Sequence, residues 1–246
     1  MAKQRTIKNP VSCSGIGLHT GVDSTITFKP SPENTGIRFI RTDVEGCPKI
    51  KADIEHVVDI SRGTTLAQNG NRIHTVEHVL ATLVGLEIDN ILIEVTNKEP
   101  PVMDGSSKEF VKVLQKAGIV AQKHEREYLE IDKAISYNDP VNKTDISVLP
   151  SDCYRITCII DYKYPWIGTQ YFTIHSIDDF PKEIAPARTF SFLSEVEDLR
   201  EAGLVQGGRL DNAIVILDKE VDKTEMNRLR KLFNIEENIK IGTNGI

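Results

Sequence analysis

Between Asp23 and Ala117 the chain switches repeatedly between two hydrophobic periods, and that alternation limits its possible folds more than any other feature. Runs rich in β-branched residues at Asp23 to Phe28, Ile37 to Arg41 and Asn90 to Val95 read as strands. Ahead of the last run, Thr75 to Val84 sets Val76, Val79, Leu80, Leu83 and Val84 along a helical stripe that Gly85 is expected to end. A second helix is expected from about Ser107 to Ala117, with Phe110, Val111 and Leu114 on one face and Ser106 or Asp104 as its cap. Strands interleaved with helices in this way imply an α+β fold, a sheet covered by helices on one face.

The apolar pattern lapses at Lys123 to Arg126, KHER, which reads as a linker. Beyond it the style repeats, with strands expected at Leu129 to Ser136, Asp145 to Leu149, Tyr154 to Tyr162 and Gln170 to His175. A helix at about Phe192 to Ala202 is closed by Gly203, and a strand at Asn212 to Leu217 precedes a polar helix near Thr224 to Phe233. Two similar α+β domains follow, residues 1–122 and 127–246, each a β-sheet layered against helices. The second ends on the turn-like GTNGI, as if an element that should cover its sheet were missing.

Apolar residues make up 39% and charged residues 27% of the 246, the balance of a soluble globular protein. No apolar run approaches the roughly 18 residues of a membrane span. The polar, basic start from Met1 to Pro10 lacks the apolar stretch of a signal peptide, so a cytoplasmic protein is expected. The net charge of -6, with no basic cluster, argues against nucleic acid as the main partner. Cys13, Cys47, Cys153 and Cys158 follow no metal or redox spacing and read as reduced and structural.

The strongest chemical feature is His74-Thr75-Val76-Glu77-His78 at the start of the first helix. Glu77 and His78 point about 100° apart on a helix and can border one cleft. A glutamate beside a metal-binding imidazole suits a hydrolase, in which a metal acidifies water and the carboxylate takes its proton. His74 and His78, four apart, could share a metal; a surface histidine and a glutamate at a helix N-terminus is the plainer alternative. Three more segments look over-specified for packing. They are SGIGLHTG at Ser14 to Gly21, PPVMDGSS at Pro100 to Ser107, and APARTFSF at Ala185 to Phe192. Plain readings exist for each: a turn, a turn and cap, and an ion-paired Arg188 beside core phenylalanines.

Taken in order, GIGLHTG, SRGTT, TVEH, GLEIDN, PPVMDGSS, ARTFSF and GGRLDNAIV resemble one family, the UDP-3-O-acyl-N-acetylglucosamine deacetylases, from about Lys8 to Asp218. Asp161 to Gln170, DYKYPWIGTQ, further resembles the form fused to a 3-hydroxyacyl-carrier-protein dehydratase. The resemblance implies a zinc-dependent amide hydrolase acting on an acylated UDP-sugar, at the committed step of lipid A synthesis. It implies Glu77 as general base, His78 as zinc ligand and Thr189 as oxyanion donor, and leaves His74 structural. It also implies that Phe190, Val196, Val205, Gly208 and Val215 line a passage for the acyl chain, with Leu18 and His19 at its entrance. Tyr162 matches an aromatic that stacks on uracil.

The family's other zinc ligands, from an H-K-x-x-D helix, and a later proton-donating histidine follow the NAIV strand, whereas the last histidine here is His175. His175 to Asp179 has a His and an Asp four apart but stands ahead of ARTF, on a strand where that spacing spans about 13 Å. The chain is therefore expected to be a C-terminally truncated piece that alone neither holds zinc tightly nor turns over substrate. The competing readings are a binding module for an acylated sugar nucleotide or fatty acid, and a structural or regulatory protein without a small ligand.

Overall fold

A computed structural model describes residues 2–162, 164, 167–218 and 222–232. In chain order the first half holds β1 (Lys3–Ile7), β2 (Val11–Ile16), β3 (Asp23–Pro30), β4 (Ile37–Arg41), β5 (Lys49–Lys51), β6 (Val57–Asp59), β7 (Thr65–Gln68), β8 (Asn71–Ile73), α1 (Glu77–Gly85), β9 (Ile91–Val95), α2 (Lys108–Ala117) and β10 (Ile119–Glu125). The second half holds β11 (Ile135–Asp139), β12 (Thr144–Val148), β13 (Ile156–Asp161), β14 (Thr169–Ile174), β15 (Phe190–Phe192), α3 (Leu193–Glu201), β16 (Ile214–Ile216) and α4 (Lys223–Leu232). The protein is a mixed α+β fold with several sheets and few helices.

Its centre is a five-stranded sheet in the order β2-β3-β9-β4-β5, antiparallel except where β4 runs parallel to β9. Alternation along β3 turns Ser24, Ile26 and Phe28 inward, and along β9 it turns Ile91, Ile93 and Val95 inward. Phe110, Val111, Leu114 and Ala117 of α2 close over that face, and Phe110 meets Phe28 edge to face at 6.2 Å. Burying each such Phe or Ile side chain stabilises the fold by about 1.5–3 kcal/mol, which makes this layer the core.

Several expected details change in the structure. The first helix begins at Glu77 and not Thr75, because Thr75 takes a φ of 55° that no helical residue adopts. Gly85 is the last residue of α1 and not its stop signal; the left-handed residue is Glu87, at φ 52°. A glycine is needed at 85 because a Cβ there would stand 2.0 Å from the ring of buried Phe180. The KHE of KHER is strand and not linker. β10 pairs with β1 through the backbone while its side chains face water, so it carries no apolar alternation to read. Arg126 then closes the segment on Glu87 and Asp89.

The first strand of the second half starts at Ile135, well after Leu129, since β12 offers partners only from Ile135 to Asp139. The last strand is shortened to Ile214–Ile216, because Asn212 is buried in the preceding turn, accepting from Arg209 N at 2.8 Å and donating to Gly207 O at 3.0 Å. The strands described here pair only in twos, β11 with β12, β13 with β14 and β15 with β16, so the likeness of the two halves does not extend to sheet width. Phe233 and the GTNGI segment lie outside the described residues. Among those described, no helix is long and apolar enough to cross a membrane. All four cysteines are free, but Cys47, Cys153 and Cys158 are exposed, which leaves only Cys13 partly in the core.

Candidate active site

Glu77 is the first residue of α1, and its position follows from the two segments that flank it. Val76 N donates to Thr64 O, and Thr64 N donates back to Glu77 Oε2 at 2.8 Å. Gly63 of the SRGTT loop lies against the other oxygen, where a Cβ would sit 3.4 Å from Oε1. The carboxylate is thus held at Oε2 by a backbone N–H.

His78 is half-buried beside it. Burial lowers its pKa, while the charges of Glu77 and Asp104 pull the other way. The net effect keeps the imidazole neutral at pH 7, the form with a lone pair to give to a metal. Its carbonyl is fixed twice, by Thr82 Oγ1 at 2.7 Å and Ser107 Oγ at 3.0 Å. Ser107 occupies the capping position of α2 but spends its hydroxyl on His78. The cap expected of Ser106 is formed one residue back, with Ser106 Oγ accepting from Lys108 N at 3.1 Å and Asp104 bracing Ser106.

The same turn carries Thr189. Gly105, at φ 83°, accepts at its carbonyl from Thr189 N at 2.8 Å, and a Cβ on it would collide with Asn212 O at 2.0 Å. The Thr189 carbonyl accepts from Ile214 N, so its backbone is secured on both sides. Arg188 forms no ion pair among the described residues; its guanidinium donates to the carbonyls of Asp104 and Leu210 instead. Nor are the phenylalanines of ARTFSF core residues: Phe190 is 41% exposed and Phe192 half-buried.

A small apolar groove lies beside Thr189. It gathers Leu18, Phe190, Val196, Val205, Gly208 and Val215, scattered over nearly two hundred positions of sequence, together with Arg200 and Arg209. Two glycine-rich loops meet there: a Cβ on Gly207 would stand 2.2 Å from Gly17 O. His19 lies beside the groove with Nε2 3.1 Å from Arg62 O. Tyr162 packs edge-on against Phe190 and Phe192, each at 6.1 Å, which places it in an aromatic cluster. Lys163, Pro165 and Trp166 of the neighbouring segment lie outside the described residues.

Among the described residues no group of three or more His, Cys, Asp and Glu could hold a metal. His74 spends its Nδ1 on Thr65 Oγ1 at 3.0 Å. His175 leaves β14 just before a short 3-10 helix capped by Ser176, and Asp178 and Asp179 belong to that turn. In the sequence Asp104 stands out only as a cap candidate, Thr64 and Asn212 only as members of the SRGTT and GGRLDNAIV segments, and Glu99 not at all.

Three findings bear on kinship. The family model described as UDP-3-O-acyl N-acetylglycosamine deacetylase matches residues 4–233. A bifunctional enzyme LpxC/FabZ of Chlorobaculum tepidum is 48% identical over 99% of this chain and 52% of its own length. The UDP-3-O-acyl-N-acetylglucosamine deacetylases of Myxococcus xanthus and Saccharophagus degradans are 44% and 41% identical, over 87% and 88% of this chain and 68% and 72% of their own lengths. The chain spans about half the length of the bifunctional relatives and about 70% of these two.

Proposed function

Because the chain belongs to the UDP-3-O-acyl N-acetylglycosamine deacetylase family, we propose that its protein removes the N-acetyl group from a 3-O-acylated UDP-N-acetylglucosamine, with zinc as cofactor. The observation that carries this reading is the arrangement of Glu77 and half-buried His78 at the start of α1, Thr189 tied to the same Gly105–Ser107 turn, and an apolar groove beside it. These are the parts that hydrolysis of an amide on an acylated sugar needs.

The residues suit one share of a zinc site. His78 offers a neutral imidazole with its backbone locked, but a catalytic zinc takes about three protein ligands and His78 is the one assigned here. Zinc, when bound, supplies Lewis acidity to the amide carbonyl and to water. Glu77 Oε1 takes the proton of the attacking water while Thr64 N–H keeps the carboxylate aimed. Thr189, anchored at Gly105 and Ile214, donates its hydroxyl to the oxyanion as the carbonyl becomes tetrahedral. The acyl chain lies along Leu18, Val196, Val205 and Val215, where each CH₂ removed from water contributes about 0.8 kcal/mol. Tyr162 stands at the Phe190 end of that groove, where an aromatic ring can meet the uracil. The reading keeps two domains but divides them after β10 and not at residue 122, because Lys123 to Glu125 continue the strand that pairs with β1. A cytoplasmic location fits a nucleotide-sugar substrate.

The test is acetate release from a 3-O-acylated UDP-N-acetylglucosamine by the full-length protein loaded with zinc. Activity should fall by at least about 100-fold in Glu77→Ala and about 100- to 1,000-fold in Thr189→Val, and zinc affinity should fall in His78→Ala. Tight substrate binding with no acetate release by the wild type would replace the deacetylase reading with a binding module.

A further inference from the structure

We infer that Glu99 is a positioning residue whose single carboxylate holds the turn leading into Glu77 and His78 in register with the loop that forms the entrance of the groove. The inference rests on the deacetylase reading only for its kinetic and zinc-binding consequences. Glu99 lies just after β9 and is 0% exposed. A carboxylate is tolerated in such a place only where donors replace the lost water. Here they come from two directions. His19 N donates to Oε1 at 3.0 Å and lies 3.2 Å from Oε2, while Thr20 N and Thr20 Oγ1 donate to Oε2 at 2.9 and 2.8 Å. From the other side Thr75 Oγ1 donates to Oε1 at 2.8 Å.

Each side has a consequence for the site. Thr75 holds a left-handed φ of 55°, costly for a β-branched residue and persistent only where its surroundings impose it. It stands two residues before Glu77, so its backbone sets where α1 begins. On the loop side, Leu18 O accepts from Gly207 N at 3.0 Å and His19 O from Gln206 N at 3.2 Å, which ties the loop to the Val205–Gly208 wall of the groove. Gly17 makes room for the arrangement, because a Cβ there would lie 2.4 Å from Glu99 Oε2. One side chain therefore joins the reacting groups to the passage that fixes the substrate's acyl chain. A misplacement of the two by about 1 Å can cost about 100-fold in rate.

Glu99→Gln keeps the size of the side chain but turns one acceptor into a donor facing donors. In the full-length, zinc-loaded protein it should lower kcat about 100-fold with a much smaller change in KM, and weaken zinc affinity about tenfold in a chelator competition. Amide hydrogens of His19 and Thr20 should lose protection from exchange. Adding Thr75→Gly should restore zinc affinity, since glycine holds a left-handed turn unaided, while His19 and Thr20 stay fast. If Glu99→Gln does not fold, Thr75→Val removes only one of the bonds and should weaken zinc binding with His19 still protected. Wild-type kcat, zinc affinity and amide protection in Glu99→Gln would overturn the inference, as would unchanged zinc affinity in Thr75→Val. Should the wild type release no acetate, the deacetylase reading fails, and exchange at His19 and Thr20 still decides the role of Glu99.

Discussion

Cys13 shows how a residue can be chemically unusual without serving the site. Burial pushes its thiol from 9.0 up to about 11, and the charge of Glu109 acts in the same direction. A folded-state pKa above the unfolded value means that the fold favours the neutral thiol. That stabilisation is complete below about pH 9 and is lost as pH rises through about 11. The midpoint of urea unfolding should therefore fall over that window, and the Cys13→Ser variant should lose this part of the dependence. At pH 8, iodoacetamide should modify exposed Cys47, Cys153 and Cys158 well before Cys13, read by peptide mass spectrometry. Gly105 is the opposite case, a residue whose lack of a side chain is its contribution. Its φ of 83° and the nearby Asn212 carbonyl leave no space for a Cβ, so the three segments bearing His78, Thr189 and Asn212 can close on one another.

At the level of elements, the SRGTT loop and α3 form a bridge across the site. Arg62 offers both terminal nitrogens to Glu195, at 3.0 Å each, and its carbonyl lies against His19. The loop also carries Thr64, which aims Glu77, while α3 carries Val196 of the groove. The pair is largely exposed, so Arg62→Ala should cost less than about 1 kcal/mol of stability. Its effect should appear in substrate binding instead, as a raised KM. The double reversal Arg62→Glu with Glu195→Arg should return KM toward wild type at low ionic strength. Near 1 M salt, where screening reaches about 3 Å, the variants and wild type should converge. An unchanged KM in Arg62→Ala would remove the bridge from any account of binding.

Across the whole molecule, burial is uneven. The core is centred on the five-stranded sheet with α1 and α2, joined from the second half by Ile174, Phe180 and Ala185. The β11–β12 hairpin sets Ile135, Tyr137, Ile146 and Val148 on one face and Ser136, Asn138, Asp145 and Ser147 on the other, and most of its surface is exposed. Opening free energies should follow this division. In native-state hydrogen exchange, amides of β3 and β9 should be the slowest and those of β11 to β14 much faster. Equal protection in both regions would show that the hairpins are covered in solution as the sheet is.

Much was legible from the residues alone where the physics is local. Side-chain period marks β3, β4, β9, α1 and α2 within a few residues, because a buried face must recur every second or every third to fourth position. Motif order also marked Leu18, Val196, Val205 and Val215, which the fold gathers around one groove. What the sequence could not disclose depends on neighbours distant along the chain. β10 is a strand because β1 supplies backbone partners, not because its own side chains alternate. Gly85 is a glycine because Phe180 arrives from almost a hundred positions away. Glu99 can remain buried only because donors of His19, Thr20 and Thr75 converge on it. Hydrogen-bond satisfaction and close packing are properties of the closed structure, so the tertiary fold alone decided where Glu77 and His78 stand relative to the groove.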